Sequence, residues 1–219
     1  IGDGSPLPVS VDMKQVNARK DKVVSGLTRG VEFLFKKNKI DWIKGTARLT
    51  GNGGVEVFEG DTQTLKARRE IIVATGSAPR SVPGITLDYE RIITSDQAIH
   101  LKAVPRSIAI MGSGAVGVEF ASIFRSFGAE VTIIELLPRL VPVEDEAVSA
   151  ELQKSFRKKG ITVLTGTKVT SAAVNGNGVD VTAALADGST REIRAEYLLV
   201  ATGRGPVTAG LDAEKLGLE

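Results

Sequence analysis

Residues 108–135 read IAIMGSGAVGVEFASIFRSFGAEVTIIE. The apolar run before Gly112 predicts a buried strand, and apolar residues at helical spacing over 116–127 predict a helix that ends at Gly128. A second apolar strand is followed directly by Glu135. A strand, a glycine-rich turn, a helix and a strand that ends in a carboxylate are the sequence form of a dinucleotide-binding βαβ unit.

The three glycines of this turn have separate predicted roles. Gly112 permits a tight turn, Gly114 lets backbone N–H groups approach a pyrophosphate, and Gly117 lets the helix pack closely on the sheet. The phosphates are expected at the positive, N-terminal end of the helix.

The carboxylate of Glu135 indicates which dinucleotide binds. Glu135 follows Gly112 by 23 residues, close to the ~20-residue spacing of the acid that hydrogen-bonds the adenosine ribose. It suits the two ribose hydroxyls of NAD and repels the 2′-phosphate of NADP, which favours an arginine. Arg139 is the nearest cation, and we interpret it as a solvated loop residue. NAD is therefore the predicted cofactor.

Composition limits the other possibilities. The chain has 219 residues, a net charge of +2, one histidine and no cysteine. This length allows one large domain or two modest ones. Basic and acidic residues are interleaved, so we expect no nucleic-acid partner, and no apolar run is long enough to predict a membrane span. We expect no disulfide, cysteine nucleophile, metal site or histidine-based catalytic triad within this chain.

The first half predicts a helix followed by an antiparallel meander. Asp12 is expected to cap a helix that ends near Lys37. The apolar period then changes to two, which predicts strands over 40–48, 55–59 and 64–68, with turns at 51–54 and 60–61. Next come a buried strand over 71–79 and an interdomain connector over 78–105, whose short helix is predicted to be capped by Ser95.

The second half repeats this order. After the βαβ unit it predicts a helix over 145–159, a strand over 161–165, a meander over 168–174, 179–186 and 189–194, and a buried strand from 197 to 203. The tripeptides Ala74-Thr75-Gly76 and Ala201-Thr202-Gly203 end the corresponding buried strands. This repetition predicts two related nucleotide-binding folds, of which only the second contains a complete glycine-rich turn.

The chain resembles the central part of the flavoprotein disulfide reductases, and within that family the dihydrolipoamide dehydrogenase branch. The resemblance rests on segments that span nearly the whole chain: 19–24, 30–39, 71–79, 94–98, 112–119, 141–146 and 198–204. It implies an α/β protein with two Rossmann-like domains, each carrying a three-strand antiparallel meander. Residues 1–84 are expected to form an incomplete FAD-binding domain, 85–205 a nearly complete NAD-binding domain inserted in it, and 206–219 the return to the first domain.

The resemblance also implies cofactor contacts. Thr75, Gly76 and Ser77 correspond to the turn against FAD, and Ala47 to a backbone contact near the FAD adenine. The NAD pyrophosphate loop corresponds to Gly112, Ser113, Gly114, Ala115, Val116, Gly117, Val118 and Glu119, with Glu119 toward the nicotinamide. Glu135 would hold the ribose, Val169 would contact the adenine, and Gly203 would approach the cofactor.

The family's redox-active cysteine pair, FAD phosphate loop and histidine–glutamate pair have no counterpart in these residues. The resemblance therefore implies a central fragment, inactive by itself, of an enzyme that passes electrons from dihydrolipoamide through a protein disulfide and FAD to NAD. The substrate would be carried on an acyltransferase subunit of a 2-oxoacid dehydrogenase complex. A homodimer formed through a C-terminal domain is expected, in the bacterial cytoplasm or the mitochondrial matrix.

Two alternatives remain open at this point. One is a cysteine-free relative, such as a soluble pyridine nucleotide transhydrogenase or an NADH-dependent ferredoxin reductase. The other is a non-catalytic NAD-binding module.

Overall fold

The computed structural model describes residues 10–59 and 61–217. Its contacts divide the chain into two compact units. The first contains residues 10–19 and Pro79–Arg204, and the second contains Lys20–Ala78 and 205–217. Gly60, in the predicted turn at 60–61, lies outside the described residues, as do residues 1–9, 218 and 219.

The helices and strands are named in chain order. They are α1 (Met13–Lys37), β1 (Thr46–Gly51), β2 (Gly54–Glu59), β3 (Asp61–Lys66), β4 (Ser77–Pro79), β5 (Ile92–Ile93), α2 (Ser95–Ala98), β6 (Ser107–Met111), α3 (Ala115–Ser126), β7 (Glu130–Ile134), α4 (Glu146–Lys158), β8 (Thr162–Leu164), β9 (Lys168–Asn175), β10 (Gly178–Ala184), β11 (Thr190–Ala195), β12 (Tyr197–Val200) and β13 (Arg204–Pro206), followed by a 3₁₀ turn at Ala213–Leu216.

The first unit is built on a five-stranded sheet in the order β5-β12-β6-β7-β8. Every neighbouring pair in this sheet is parallel. The chain runs from β6 through α3 to β7 and through α4 to β8, and then returns to the other side of β6 as β12. The order of the strands therefore reverses between β6 and β12.

Strand β6 is apolar from Ile108 to Met111, and both faces of the sheet are covered there. Ile108 and Ile110 belong to an apolar cluster that includes Phe124 of α3. Ala109 and Met111 belong to a second cluster that includes Val181 of β10. Helices thus cover one face and the antiparallel sheet β9–β11 covers the other, which explains a continuous apolar strand rather than an alternating one.

The predicted βαβ unit is confirmed. Helix α3 begins at Ala115, directly after the glycine-rich turn, and Gly128 follows it with φ +103°. The N–H of Ala129 donates to the carbonyl of Phe124 at 3.0 Å, so the positive φ of Gly128 lets the chain turn back and satisfy a helix-end carbonyl. Helix α4 is also confirmed, with Asp145 at its N-cap.

Residues 78–105 are not a simple connector, so that prediction is wrong. They include β5, which pairs with β12 at the edge of the parallel sheet, and Ile93 is almost completely buried. The short helix is capped by Thr94 rather than Ser95, because the Thr94 hydroxyl accepts from the N–H of Asp96 and Gln97 reaches back to the Thr94 backbone. A two-residue strand was too short for periodicity to reveal.

The second unit contains most of α1 and the antiparallel sheet β1-β2-β3. The predicted cap of α1, in the first unit, is confirmed, since Asp12 accepts from the N–H groups of Lys14 and Gln15. The first predicted strand is too long at its start, because β1 begins at Thr46 and not at residue 40.

The predicted buried strand at 71–79 is wrong over its first six residues. Residues 71–76 have no regular structure, and Ile72 is 89% exposed. A buried parallel strand needs neighbouring strands to bond its backbone and cover its side chains, and no described strand of this unit pairs with residues 71–76. Several apolar side chains of α1, such as Leu27, are exposed as well.

The repeated Ala-Thr-Gly tripeptides make equivalent hydrogen bonds. In the second unit the Thr75 hydroxyl donates to the carbonyl of Val207 at 2.6 Å, and the carbonyl of Gly76 accepts from the N–H of Val207 at 3.1 Å. Val207 lies four residues after Gly203, the glycine of the other tripeptide.

The first unit repeats this arrangement. The Thr202 hydroxyl donates to the carbonyl of Arg80 at 2.8 Å, and the carbonyl of Gly203 accepts from the N–H of Arg80 at 3.0 Å. Arg80 lies four residues after the glycine of the first tripeptide. The tripeptides therefore have the same structural role, which agrees with an internal repeat.

No helix among the described residues is long and apolar enough to cross a membrane.

Asp88 provides a test of how β5 is held in the sheet. Its Oδ1 accepts from the N–H groups of Glu90, Arg91 and Ile92 at 2.7–2.9 Å. Partial burial works to raise the pKa of this carboxyl, but the backbone hydrogen bonds outweigh it and the pKa is lowered. The ionised carboxylate therefore stabilises the fold above its ordinary pKa, and this contribution is lost as the pH falls through the lowered pKa.

We expect Asp88→Ala to reduce the free energy of unfolding at pH 7 by about 1 kcal/mol, because three backbone donors lose their acceptor at a site that water can reach. Urea denaturation from pH 7 to pH 3 should show the difference from wild type shrinking toward the acid end. Asp96→Ala, which removes an acceptor of a 3.4 Å bond from the Ser95 hydroxyl, is the control. A difference as large at pH 3 as at pH 7 would contradict this role of the carboxylate.

Candidate dinucleotide-binding site

Two of the three glycines in the turn between β6 and α3 are required by the fold itself. Gly112 has φ +100°, and a Cβ there would lie 2.5 Å from the carbonyl oxygen of Ala201. A Cβ at Gly117 would overlap the carbonyl oxygen of Gly112. Larger residues at these positions would force the turn away from β12 and α3 away from the turn.

Gly114 differs from the other two glycines. It is the N-cap of α3, with φ −67°, a value that any residue adopts. A Cβ at Gly114 would meet no atom within 4 Å. Packing within the described residues therefore does not require a glycine here. Open space beside the uncapped N-terminus of a 12-residue helix is where an anionic group can approach backbone N–H donors.

A cleft of about 110 Å³ lies at this end of the sheet. The turn and the start of α3 form one side, and the residues that follow β12 form another. Parallel α/β sheets bind ligands at the carboxyl ends of strands where the strand order reverses, and here that point lies between β6 and β12. Its lining residues are Pro79, Ser95, Gly114, Ala115, Val116, Val200, Ala201, Gly203 and Arg204.

Glu135 follows β7 and is only 7% exposed. Its Oε2 accepts from both the N–H and the hydroxyl of Ser113, each at 2.7 Å, and its Oε1 accepts from the N–H of Leu137 at 2.8 Å. The carboxylate therefore joins the end of β7 to the glycine-rich turn. Hydrogen bonds to a charged acceptor are stronger than those between neutral groups, so Glu135 also supports the shape of the turn.

Sequence reasoning included Ser113 in the loop but gave its side chain no role. The residue is fully buried, and its carbonyl also accepts from the N–H of Val141 at 3.0 Å. The available signal was a hydroxyl between two glycines, in a turn that brings it close to the acid after the next strand.

Arg139 is not a solvated loop residue, so that interpretation is wrong. Its Nη1 lies 2.6 Å from Oε1 of Glu146, and its Nη2 donates to the carbonyls of Pro142 and Glu144. Its Nε is buried and has no hydrogen-bond partner among the described residues. The guanidinium thus stabilises its own loop. Binding of another anion by Arg139 would break its hydrogen bonds to Glu146 and to the loop carbonyls.

The other predicted NAD contacts occupy different environments within this unit. Val118 and the exposed Glu119 lie on α3 beyond Gly117. Val169 is 9% exposed in β9, where it pairs with Ala183 inside an apolar cluster. Gly203 has φ +120° and lines the cleft.

The predicted FAD contacts all lie in the second unit. Thr75 is hydrogen-bonded through its hydroxyl, Gly76 has φ +78° with open space around it, and Ser77 begins β4. Ala47 lies on β1, paired with Val57 of β2.

The second unit also has an apolar groove of about 330 Å³ between α1 and Trp42. It is larger than the cleft in the first unit, but Glu32 is the one ionisable residue in its lining: Leu27, Thr28, Val31, Glu32, Phe35 and Trp42. Size alone does not make a reactive site. The cleft beside Gly114 combines backbone donors, a helix N-terminus and a strand-order reversal, which the groove does not offer.

Known proteins match this chain over nearly its whole length. The family described as pyridine nucleotide-disulphide oxidoreductase matches residues 4–219. Dihydrolipoyl dehydrogenase 3 of Pseudomonas putida is 42% identical over 99% of the chain and 47% of its own length. The mitochondrial dihydrolipoyl dehydrogenase of Pisum sativum is 37% identical over 96% of the chain and 42% of its own length.

Solved structures show the same likeness. LpdA from Mycobacterium tuberculosis superposes with a TM-score of 0.86 at 26% identity, covering 96% of this chain and 47% of that one. The HOCl-induced flavoprotein disulfide reductase RclA from Escherichia coli gives a TM-score of 0.80 at 26% identity, covering 95% and 47%. The chain spans about half the length of the relatives that it matches. It belongs to the pyridine nucleotide-disulphide oxidoreductase family.

Proposed function

We propose that residues 85–205 form an NAD-binding domain. The open space at Gly114 is the main support for this proposal. No described protein atom lies close enough to Gly114 to exclude a larger side chain, so packing does not explain a glycine there. The N-terminus of α3 supplies donors for the pyrophosphate, and Glu135 supplies an acceptor for the adenosine ribose. Val169 is the proposed contact of the adenine. Glu119 is proposed to lie toward the nicotinamide, and Gly203 is proposed to approach the cofactor near the cleft.

Residues 1–84 and 206–219 are proposed to belong to an FAD-binding domain that needs further polypeptide to be complete. The exposed apolar side chains of residues 71–73 support this, since such a run favours the interior of a sheet. Thr75, Gly76, Ser77 and Ala47 are its proposed FAD contacts, and the space around Gly76 leaves room for a cofactor.

The proposed activity of the whole protein is that of a dihydrolipoyl dehydrogenase. Dihydrolipoamide would reduce a protein disulfide, and bound FAD would pass the two electrons to NAD as a hydride. The 219-residue sequence has no cysteine, so the disulfide must be supplied by other polypeptide and this chain alone should not catalyse the reaction. Its own residues bind and orient the dinucleotide.

The partners and location follow from the same proposal. The substrate would be the lipoyl group of an acyltransferase subunit in a 2-oxoacid dehydrogenase complex. A homodimer and a bacterial cytoplasmic location are proposed, although the relative from Pisum sativum is named as mitochondrial.

We expect the chain to bind NADH more tightly than NADPH. Glu135 would repel a 2′-phosphate, and Arg139 is already bonded to its own loop. Isothermal titration calorimetry with each dinucleotide measures the difference.

Glu135→Ala should weaken NADH binding by about 1.5–3 kcal/mol, the cost of losing a charged hydrogen-bond partner. Because Glu135 also supports the turn, folding of the variant is checked by circular dichroism. Tighter binding of NADPH to the wild-type chain would refute the NAD assignment.

Gly114→Ala separates ligand contact from packing. The new methyl group meets open space, so we expect a stability loss of at most about 1 kcal/mol from the poorer N-cap. It also points to where the pyrophosphate is proposed to lie, so NADH affinity should fall at least about tenfold. Gly117→Ala is the contrasting variant, because its methyl group overlaps the Gly112 carbonyl and should destabilise the fold by several kcal/mol. Unchanged NADH affinity in Gly114→Ala would remove this loop from the site.

We also expect the purified chain to carry no stoichiometric flavin, since the proposed FAD domain exposes the apolar run that should be covered in a complete site. The ratio of visible flavin absorbance to protein concentration measures this. Flavin at one equivalent per chain, retained through gel filtration, would mean that the FAD site is complete in these residues.

A further inference from the structure

Ser113 donates twice to one oxygen of Glu135. Its backbone N–H and its hydroxyl each lie 2.7 Å from Oε2, and Ser113 is fully buried. The N–H bond needs only a backbone and would form with any residue at this position. The hydroxyl bond needs serine, or another residue with a short donor.

The two oxygens of Glu135 are not equally available. A carboxylate has about four acceptor positions, two on each oxygen. Oε2 receives both Ser113 donors, whereas Oε1 receives the N–H of Leu137 alone among the described donors. Among the described residues, Oε1 therefore keeps an open acceptor position that a ribose hydroxyl could use.

We propose that Ser113 is a positioning residue that fixes Glu135 with Oε1 available to the ribose and so sets the preference for a 2′-hydroxyl over a 2′-phosphate. This rests on the proposed NAD function. A carboxylate held by three donors moves away from an incoming phosphate only by breaking hydrogen bonds. Its negative charge therefore stays where it repels the phosphate.

Removing the hydroxyl should reduce discrimination between the two dinucleotides. In Ser113→Ala the backbone N–H bond remains, but Glu135 loses one of its three donors and can rotate more easily. NADH should bind more weakly and NADPH should be repelled less. We expect the ratio of the NADPH to the NADH dissociation constant to fall roughly tenfold, the order expected for loss of one hydrogen bond to a charged group.

The experiment measures both dissociation constants by calorimetry for the full 219-residue chain. Ser113→Gly is the second variant, which removes Cβ together with the hydroxyl. The control is Ser107→Ala, at the start of β6, where the hydroxyl accepts from the N–H of Glu196. It removes a serine hydroxyl from the opposite end of the same strand and should leave the ratio unchanged.

The outcomes separate this inference from the NAD function itself. A wild-type preference for NADH that both Ser113 variants retain in full overturns the role of Ser113 and leaves the NAD function intact. Failure of both variants to fold would make the hydroxyl a structural element and also overturn the inference. A wild-type chain that binds neither dinucleotide, or prefers NADPH, overturns both proposals before any variant is compared.

Discussion

The close backbone approach at Gly112 is the constraint on which the rest of the first unit depends. The turn after β6 passes so near the carbonyl of Ala201 that a side chain cannot be placed between them. This contact joins the ends of two neighbouring strands at the point where the strand order reverses. Gly117 then lets α3 start directly over the turn, and the N-terminus of the helix faces the cleft. This end of the sheet is therefore where the pyrophosphate of the proposed dinucleotide would lie.

The carboxylate of Glu135 adds an electrostatic element to that backbone geometry. A nearly buried charge is tolerated because three donors surround it. The same group therefore has two roles: it supports the glycine-rich turn, and it presents an acceptor toward the proposed ribose site. Arg139 carries the opposite charge nearby in sequence but is bonded to Glu146 and to loop carbonyls. For the proposed NAD site, this arrangement of charge supports a neutral ribose rather than a phosphorylated one.

In the second unit, the apolar segment 71–76 has no neighbouring strand to pair with among the described residues. Residues 71–76 have the composition of a buried strand yet remain irregular, whereas the apolar strand β12 is buried between β5 and β6. Sequence patterns of the two segments are alike, and both end in Ala-Thr-Gly. The threonine and glycine of each tripeptide make the same pair of backbone hydrogen bonds, so the repeat is retained at the turn even where the strand is not formed.

The sequence alone determined the α/β class, the βαβ unit from β6 to β7, the two antiparallel meanders and the position of Glu135, because these follow from local period, glycine spacing and turn chemistry. Only the tertiary structure decided that Ser113 holds Glu135, that Arg139 is committed to its loop, that Thr94 caps α2 and that β5 completes the parallel sheet. Each of these depends on atoms brought together across the fold or on an element too short to have a period. The tertiary structure also decided that residues 71–76 form no strand. A strand forms only where a neighbouring strand pairs with its backbone hydrogen-bonding groups.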